Sequence, residues 1–137
     1  MSKKYNWSDL GLNFGNWEEE KIWALDLPVT EIDMKDLIWH FDAPFWPNDN
    51  GERWTVTPWD VINQAPDTKK EQTNLEKADT NYPIDILENN GRWLILDGIH
   101  RLAKLYKQNN KKIKVRIIPR NRLPEILTGD PIELPEN

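Results

Sequence analysis

The chain has 137 residues, 38% hydrophobic and 30% charged, with 18 basic side chains against 23 acidic ones and a net charge of -5; this is the size and make-up of one soluble globular domain, with the cytoplasm as its default location. The absence of cysteine excludes disulfide scaffolds, thiolate metal sites and thiol catalysis. The acidic balance argues against DNA binding, no apolar run is long enough for a membrane span, and the basic Met1–Trp7 stretch lacks the apolar segment of a signal peptide.

In chain order, a short helix is expected from Ser8, followed by a loop over Gly11–Asn16 and a solvated acidic run at Glu18–Glu20. Ile22–Val29 alternates and reads as a strand ending near Pro28. Asp33 is placed as the N-cap of a helix that brings Met34, Leu37, Ile38 and Phe41 onto one face. Two prolines and an Asn/Asp/Gly cluster make 43–51 a loop. Thr57-Pro58 has the form of an N-cap with proline at the first helical position, opening a short helix to Asn63. Lys69–Ala78 reads as an exposed helix.

Ile84–Leu87 and Arg92–Leu96 are predicted strands joined through Asn89-Asn90-Gly91, because Asn-Gly supplies the positive φ angles of a tight hairpin turn. The return strand is apolar at consecutive positions, as a buried strand is. A helix over Ile99–Asn109 is expected to bury Leu102, Ala103, Leu105 and Tyr106. Lys112–Ile118 alternates, with Ile113, Val115 and Ile117 on one face. Asn121–Leu127 is a last helix, and the tail after Thr128 is expected to fray. The fold class is mixed α/β, a small sheet flanked by helices.

The candidate site is Asp97-Gly98-Ile99-His100-Arg101. Gly98, between a buried strand and a helix, permits a tight turn and close approach of a ligand to the backbone. The first amides of the helix have no intrahelical partners and, with the helix dipole, favour an anion. His100 and Arg101 can donate to phosphate oxygens, Arg101 through two bonds at once. Asp97 can cap the helix, orient His100 or a ligand hydroxyl, or hold a metal-phosphate. Asp-Gly before a helix also serves as a plain turn. Basic residues in a first helical turn nevertheless run against the dipole, so helix stability does not explain them.

The box over Leu96–Lys104 resembles the Asp-Gly-x-His-Arg-Leu box of the ParB/sulfiredoxin superfamily, in particular its small stand-alone bacterial members. Supporting pieces lie at Trp39–Trp46, Thr57–Val61, Ala78–Ile84 and Val115–Pro119. The resemblance covers about 22–120, leaving 1–21 as an N-terminal extension and 121–137 as a C-terminal helix and tail. It implies a ParB/sulfiredoxin-like fold and nucleotide phosphates at 97–101. Ile99 stands where sulfiredoxins carry the catalytic cysteine, which removes sulfinic acid reduction. The chain is too short and too acidic for a complete chromosome-partition protein. Relatives that phosphorylate free serine use a carboxylate as general base, and Glu31, Asp33 and Asp42 are candidates for that role.

The expected ligand is thus a nucleotide (ATP, ADP or CTP with Mg²⁺) or another phosphate-bearing small molecule. Gly98, Ile99, His100, Arg101 and Arg116 would bind it, and Asp97 and His100 are the candidate catalytic groups. Phosphoryl transfer or nucleotide hydrolysis is one class of function. A non-catalytic sensor or protein-binding module that uses the Trp-rich loop 45–59 is the alternative. Nuclease activity ranks lower, because no metal-carboxylate cluster is evident. His40 reads as a surface or packing residue rather than a catalytic one. Lys111, Lys112 and Lys114 read as a solvated strand edge.

Overall fold

The computed structural model describes residues 5–135, so Met1–Lys4 of the basic amino-terminal run and the last two residues of the expected frayed tail lie outside it. Four strands, β1 (Val29–Asp33), β2 (Ile84–Asn89), β3 (Arg92–Asp97) and β4 (Lys112–Ile117), form one sheet in the order β1-β4-β2-β3. β1 is antiparallel to β4, β2 is antiparallel to β3, and β2 is parallel to β4. The helices are α1 (Glu19–Trp23), α2 (Pro58–Ile62), α3 (Lys69–Lys77) and α4 (Ile99–Lys107). Among the described residues no helix is long and apolar enough to cross a membrane.

Local chemistry accounts for the best-defined parts. Asn90 and Gly91 have φ of 52° and 80°, the conformation that lets a two-residue turn match the twist of the flanking strands. Thr57 and Asp60 form a reciprocal capping box, with Thr57 Oγ1 accepting from the Asp60 amide and Asp60 Oδ2 from the Thr57 amide. Pro58 occupies the first helical position behind that cap. α3 is capped from outside, because the Asp49 carboxylate accepts from the amides of Lys69 and Lys70.

The period of two along the strands splits the core between the two faces of the sheet. Ile84, Ile86, Ile95, Ile113 and Val115 face Met34, Phe41, Val61, Leu75 and the α4 residues Leu102 and Ala103. Leu87, Leu94, Leu96 and Ile118 face Ile22, Leu25, Leu123 and Ile126, with Leu12, Phe14 and Trp17 packed alongside. Burying one leucine such as Leu102 contributes roughly 1.5–3 kcal/mol. The segments on either side of 22–120 therefore build the second face, and packing does not break at 21 or 120.

Several expected elements differ. The strand expected over Ile22–Val29 is helix α1 and a loop, and the strand begins at Val29 instead of ending there. Ile22 and Leu25 are buried while Trp23 and Ala24 are exposed; this is a helical spacing, which a short apolar run conceals. The helix expected after Asp33 is a pair of 3-10 turns, Met34–Asp36 and Ile38–Asp42. Asp33 makes no side-chain cap there and pairs with Lys112. The last helix is a 3-10 turn over Arg120–Glu125 containing Pro124, whose ring prevents a regular α-helix. The tail is tied at Thr128 and Asp130, since the Thr128 amide donates to the Asn16 carbonyl and the Asn16 amide to the Asp130 carbonyl. On α4, Leu105 is half-buried and Tyr106 is exposed.

Candidate functional site

A cavity of about 920 Å³ opens where β2 begins, β3 ends and α4 starts. Asp97, Gly98, Ile99, His100, Arg101 and Arg116 all line it, so the fold gathers the box and the more distant arginine at one place. Trp23, Tyr82, Asp85 and Asp79, none of them named from the sequence as a site residue, line it as well. Glu31, Asp33 and Asp42 do not. Glu31 is exposed on β1 and Asp33 is bonded to Lys112, while Asp42 accepts from the Trp59 indole at 3.0 Å. The carboxylates at the cavity are instead Asp79, Asp85 and Asp97.

Register explains the floor. Asp85 on β2 lies opposite Asp97 on β3 and opposite Arg116 on β4. Arg116 Nε donates to Asp85 Oδ1 at 2.7 Å, and Arg101 Nη2 donates to Asp97 Oδ2 at 2.8 Å. The result is a row, Arg116–Asp85–Asp97–Arg101, in which two neighbouring carboxylates are flanked by two guanidinium groups across two strand pairings and one helix. Both arginines also brace the backbone. Arg101 Nη1 donates to the Pro83 carbonyl at 2.5 Å. Arg116 donates to the carbonyls of Leu25 and Ile22 at 2.7 and 2.9 Å, which seats α1 against the cavity. Burial pushes the Asp85 carboxyl above the usual carboxylate range, against the pull of Arg116. On α1, burial likewise raises Glu19, and the charge of Asp97 adds to the effect.

Gly98 has φ of 118°, a conformation open to glycine and strained for other residues. A Cβ there would sit 3.1 Å from Ile84 Cγ1 and 3.3 Å from Arg101 Cζ. The turn thus lets the start of α4 lie close on β2. Gly98 makes no side-chain cap, so the first amides of α4, in a turn whose residues line the cavity, are left without one.

His100 is not a free donor. Its Nε2 meets Glu71 Oε2 at 2.6 Å, and its ring stacks on Trp46 at 4.2 Å with planes 13° apart. Glu71 belongs to the helix expected to be exposed, yet it is 7% exposed. In the polar run 69–78 the signal for this is its spacing of four from Leu75, which puts the two on one helical face. His40 is fully buried. Its Nδ1 donates to the Leu37 carbonyl at 2.7 Å and its Nε2 accepts from the Ile95 amide at 2.9 Å, so it is a structural pin for β3.

The segment 45–59 does not present its tryptophans. Trp46 is buried, Trp54 packs edge-on against Trp7, and Trp59 packs against Phe41. Among the described residues the exposed tryptophan is Trp23, at 57%, and Tyr82 is 65% exposed. Trp23 is nevertheless fixed, because its Nε1 donates to Asp97 Oδ2 at 2.7 Å.

No cluster of three or more histidine or carboxylate side chains suited to a metal ion occurs among the described residues. The donor set therefore fits Mg²⁺ only as an ion that arrives with ligand phosphates and keeps most of its waters, which is its usual mode. Among the described residues Asp79 is the cavity carboxylate without an arginine partner. The chain matches no protein-family model, no curated protein and no solved structure.

Proposed function

We propose that this chain is a ParB/sulfiredoxin-like protein that binds a nucleotide, or a similar phosphate-bearing small molecule, in the cavity at the start of α4. One observation carries the reading: the whole 97–101 box opens onto the same cavity as two exposed aromatic rings, Trp23 and Tyr82. The start of α4 offers backbone N–H groups to phosphate, and the aromatic faces offer stacking to a base. The volume lies within the usual range for small-ligand sites.

The charge balance favours a small ligand over a polyanion. Lys77, Arg101 and Arg116 at the cavity are offset by Asp79, Asp85 and Asp97. Phosphate is then held by amide dipoles and by guanidinium N–H groups left over from the two ion pairs, not by a basic surface. Mg²⁺ bound to the phosphates would offset their remaining charge.

A thermal-shift titration with ATP, ADP and CTP, with and without Mg²⁺, tests this. Ligand binding to the native state must raise the unfolding midpoint. An unchanged midpoint at saturating nucleotide rules the reading out.

A further inference from the structure

His100 is held more tightly than a phosphate donor needs to be. The Glu71 carboxylate can only accept, so Nε2 carries the hydrogen of their 2.6 Å bond. Trp46, stacked at 4.2 Å, fixes the plane of the ring from one side. Glu71 has Asn74 Nδ2 at 3.3 Å as a second partner and, among the described residues, no lysine or arginine. Nδ1 of His100 has no hydrogen-bond partner among the described residues. Among the described residues no buried side-chain nitrogen or oxygen lacks a partner, so Nδ1 is reached by solvent. His100 itself lines the cavity, whereas Glu71 and Trp46 stand behind it.

We propose that Glu71 and His100 form a proton-transfer dyad, with His100 Nδ1 as the atom that takes a proton inside the cavity and Glu71 as the positioning residue. The proposal rests on the nucleotide reading and adds turnover to it. With Nε2–H committed to Glu71, the lone pair that accepts a proton is on Nδ1, on a side chain that lines the cavity. The reaction class that fits is hydrolysis of a phosphoanhydride. Nδ1 takes a proton from water as the water oxygen forms a bond to phosphorus. The bond from phosphorus to the bridging oxygen breaks, its electron pair stays on the departing phosphate, and the imidazolium proton then passes to solvent. A carboxylate that fixes the tautomer and orientation of a histidine base is an established way to raise its efficiency.

The chain has two histidines, which makes the test direct. Imidazole ¹⁵N correlation spectra of the full chain at alkaline pH are expected to show opposite tautomers, Nδ1–H for His40 and Nε2–H for His100. In Glu71→Leu, His100 is expected to become a tautomer mixture; in Glu71→Gln, whose amide oxygen still accepts, it keeps Nε2–H. Phosphate release from ATP with Mg²⁺ is the second readout. His100→Gln is expected to lower kcat by about 100-fold or more while the ATP-induced thermal shift persists. Glu71→Leu is expected to lower kcat by about tenfold with KM little changed, and Glu71→Gln by less. The Glu71 pair decides the matter if His100→Gln does not fold. Nδ1–H on His100 in the wild type, or full kcat in either His100→Gln or Glu71→Leu, overturns the dyad. A thermal shift by ATP without phosphate release overturns the dyad alone, and the lack of any shift overturns the binding reading with it.

Discussion

Trp23 and Asp97, 74 positions apart in the chain, are joined by one hydrogen bond of 2.7 Å from the indole N–H to the carboxylate that also holds Arg101. The bond fixes an exposed ring at the cavity wall and leaves its face free. Trp23→Ala is expected to lower ATP affinity about tenfold, the scale of one lost stacking contact of roughly 1–3 kcal/mol. Its effect on stability should stay near 1 kcal/mol, about the value of one hydrogen bond. Trp23→Phe keeps a ring and should fall between. Calorimetry of all three proteins checks this, and equal affinities would remove Trp23 from the site.

Arg116→Met leaves Asp85 buried beside the cavity without its partner. Breaking such a pair costs roughly 3–5 kcal/mol, measurable by urea unfolding at neutral pH. Burial already holds the Asp85 carboxyl above its ordinary value of 3.8, so the folded state binds that proton more tightly than the unfolded chain. The stability gained from that protonation is complete below 3.8 and lost as pH rises through the raised folded value. The deficit of Arg116→Met should therefore shrink in acid; a constant deficit would contradict it.

His40 runs the other way. Burial lowers its pKa from 6.5 to about 4, so the unfolded chain binds the proton more tightly. Its contribution is fully present above 6.5 and lost as pH falls towards 4, by about 3 kcal/mol over that range. Unfolding midpoints between neutral pH and the folded value are expected to fall along this curve. His40→Gln should be less stable at neutral pH and flatter in acid.

Gly98→Ala combines a φ of 118° with a Cβ 3.1 Å from Ile84. Backbone strain of this kind costs roughly 1–3 kcal/mol, and the nearby Arg101 guanidinium must shift. A lower unfolding midpoint together with weaker ATP binding is expected. Wild-type values for both would show that the turn tolerates a side chain.

Legibility in the sequence followed the range of the interactions. The Asn90-Gly91 hairpin, the Thr57-Pro58 helix start, α4 and β4 are fixed by turn chemistry, capping and periodicity within a few residues, and they could be read. α1 could not: Ile22 and Leu25 are buried by contacts with β2, β3 and the carboxyl-terminal turn, and the run is too short to separate periods of two and three. The 97–101 box and Arg116 can be picked out in the sequence as candidates, and they line one cavity, but the partners that engage them there cannot. Asp85 and Trp23 reach the cavity through register and helix packing, and Glu71 reaches His100 behind it; the one local mark of its burial is a spacing of four from Leu75.

The bonds from Arg116 to the carbonyls of Ile22 and Leu25 span 94 and 91 positions, and α1 has only five residues. A helix that short has no stability of its own; it persists because the cavity floor grips it. Its opening is therefore a local event that can occur with the sheet intact. A ligand bridging Trp23 and the start of α4 would act as a latch on that event. Amide hydrogen exchange should then slow in 19–25 on ligand binding far more than in the central strands, so the segment outside the box becomes its most sensitive reporter of occupancy.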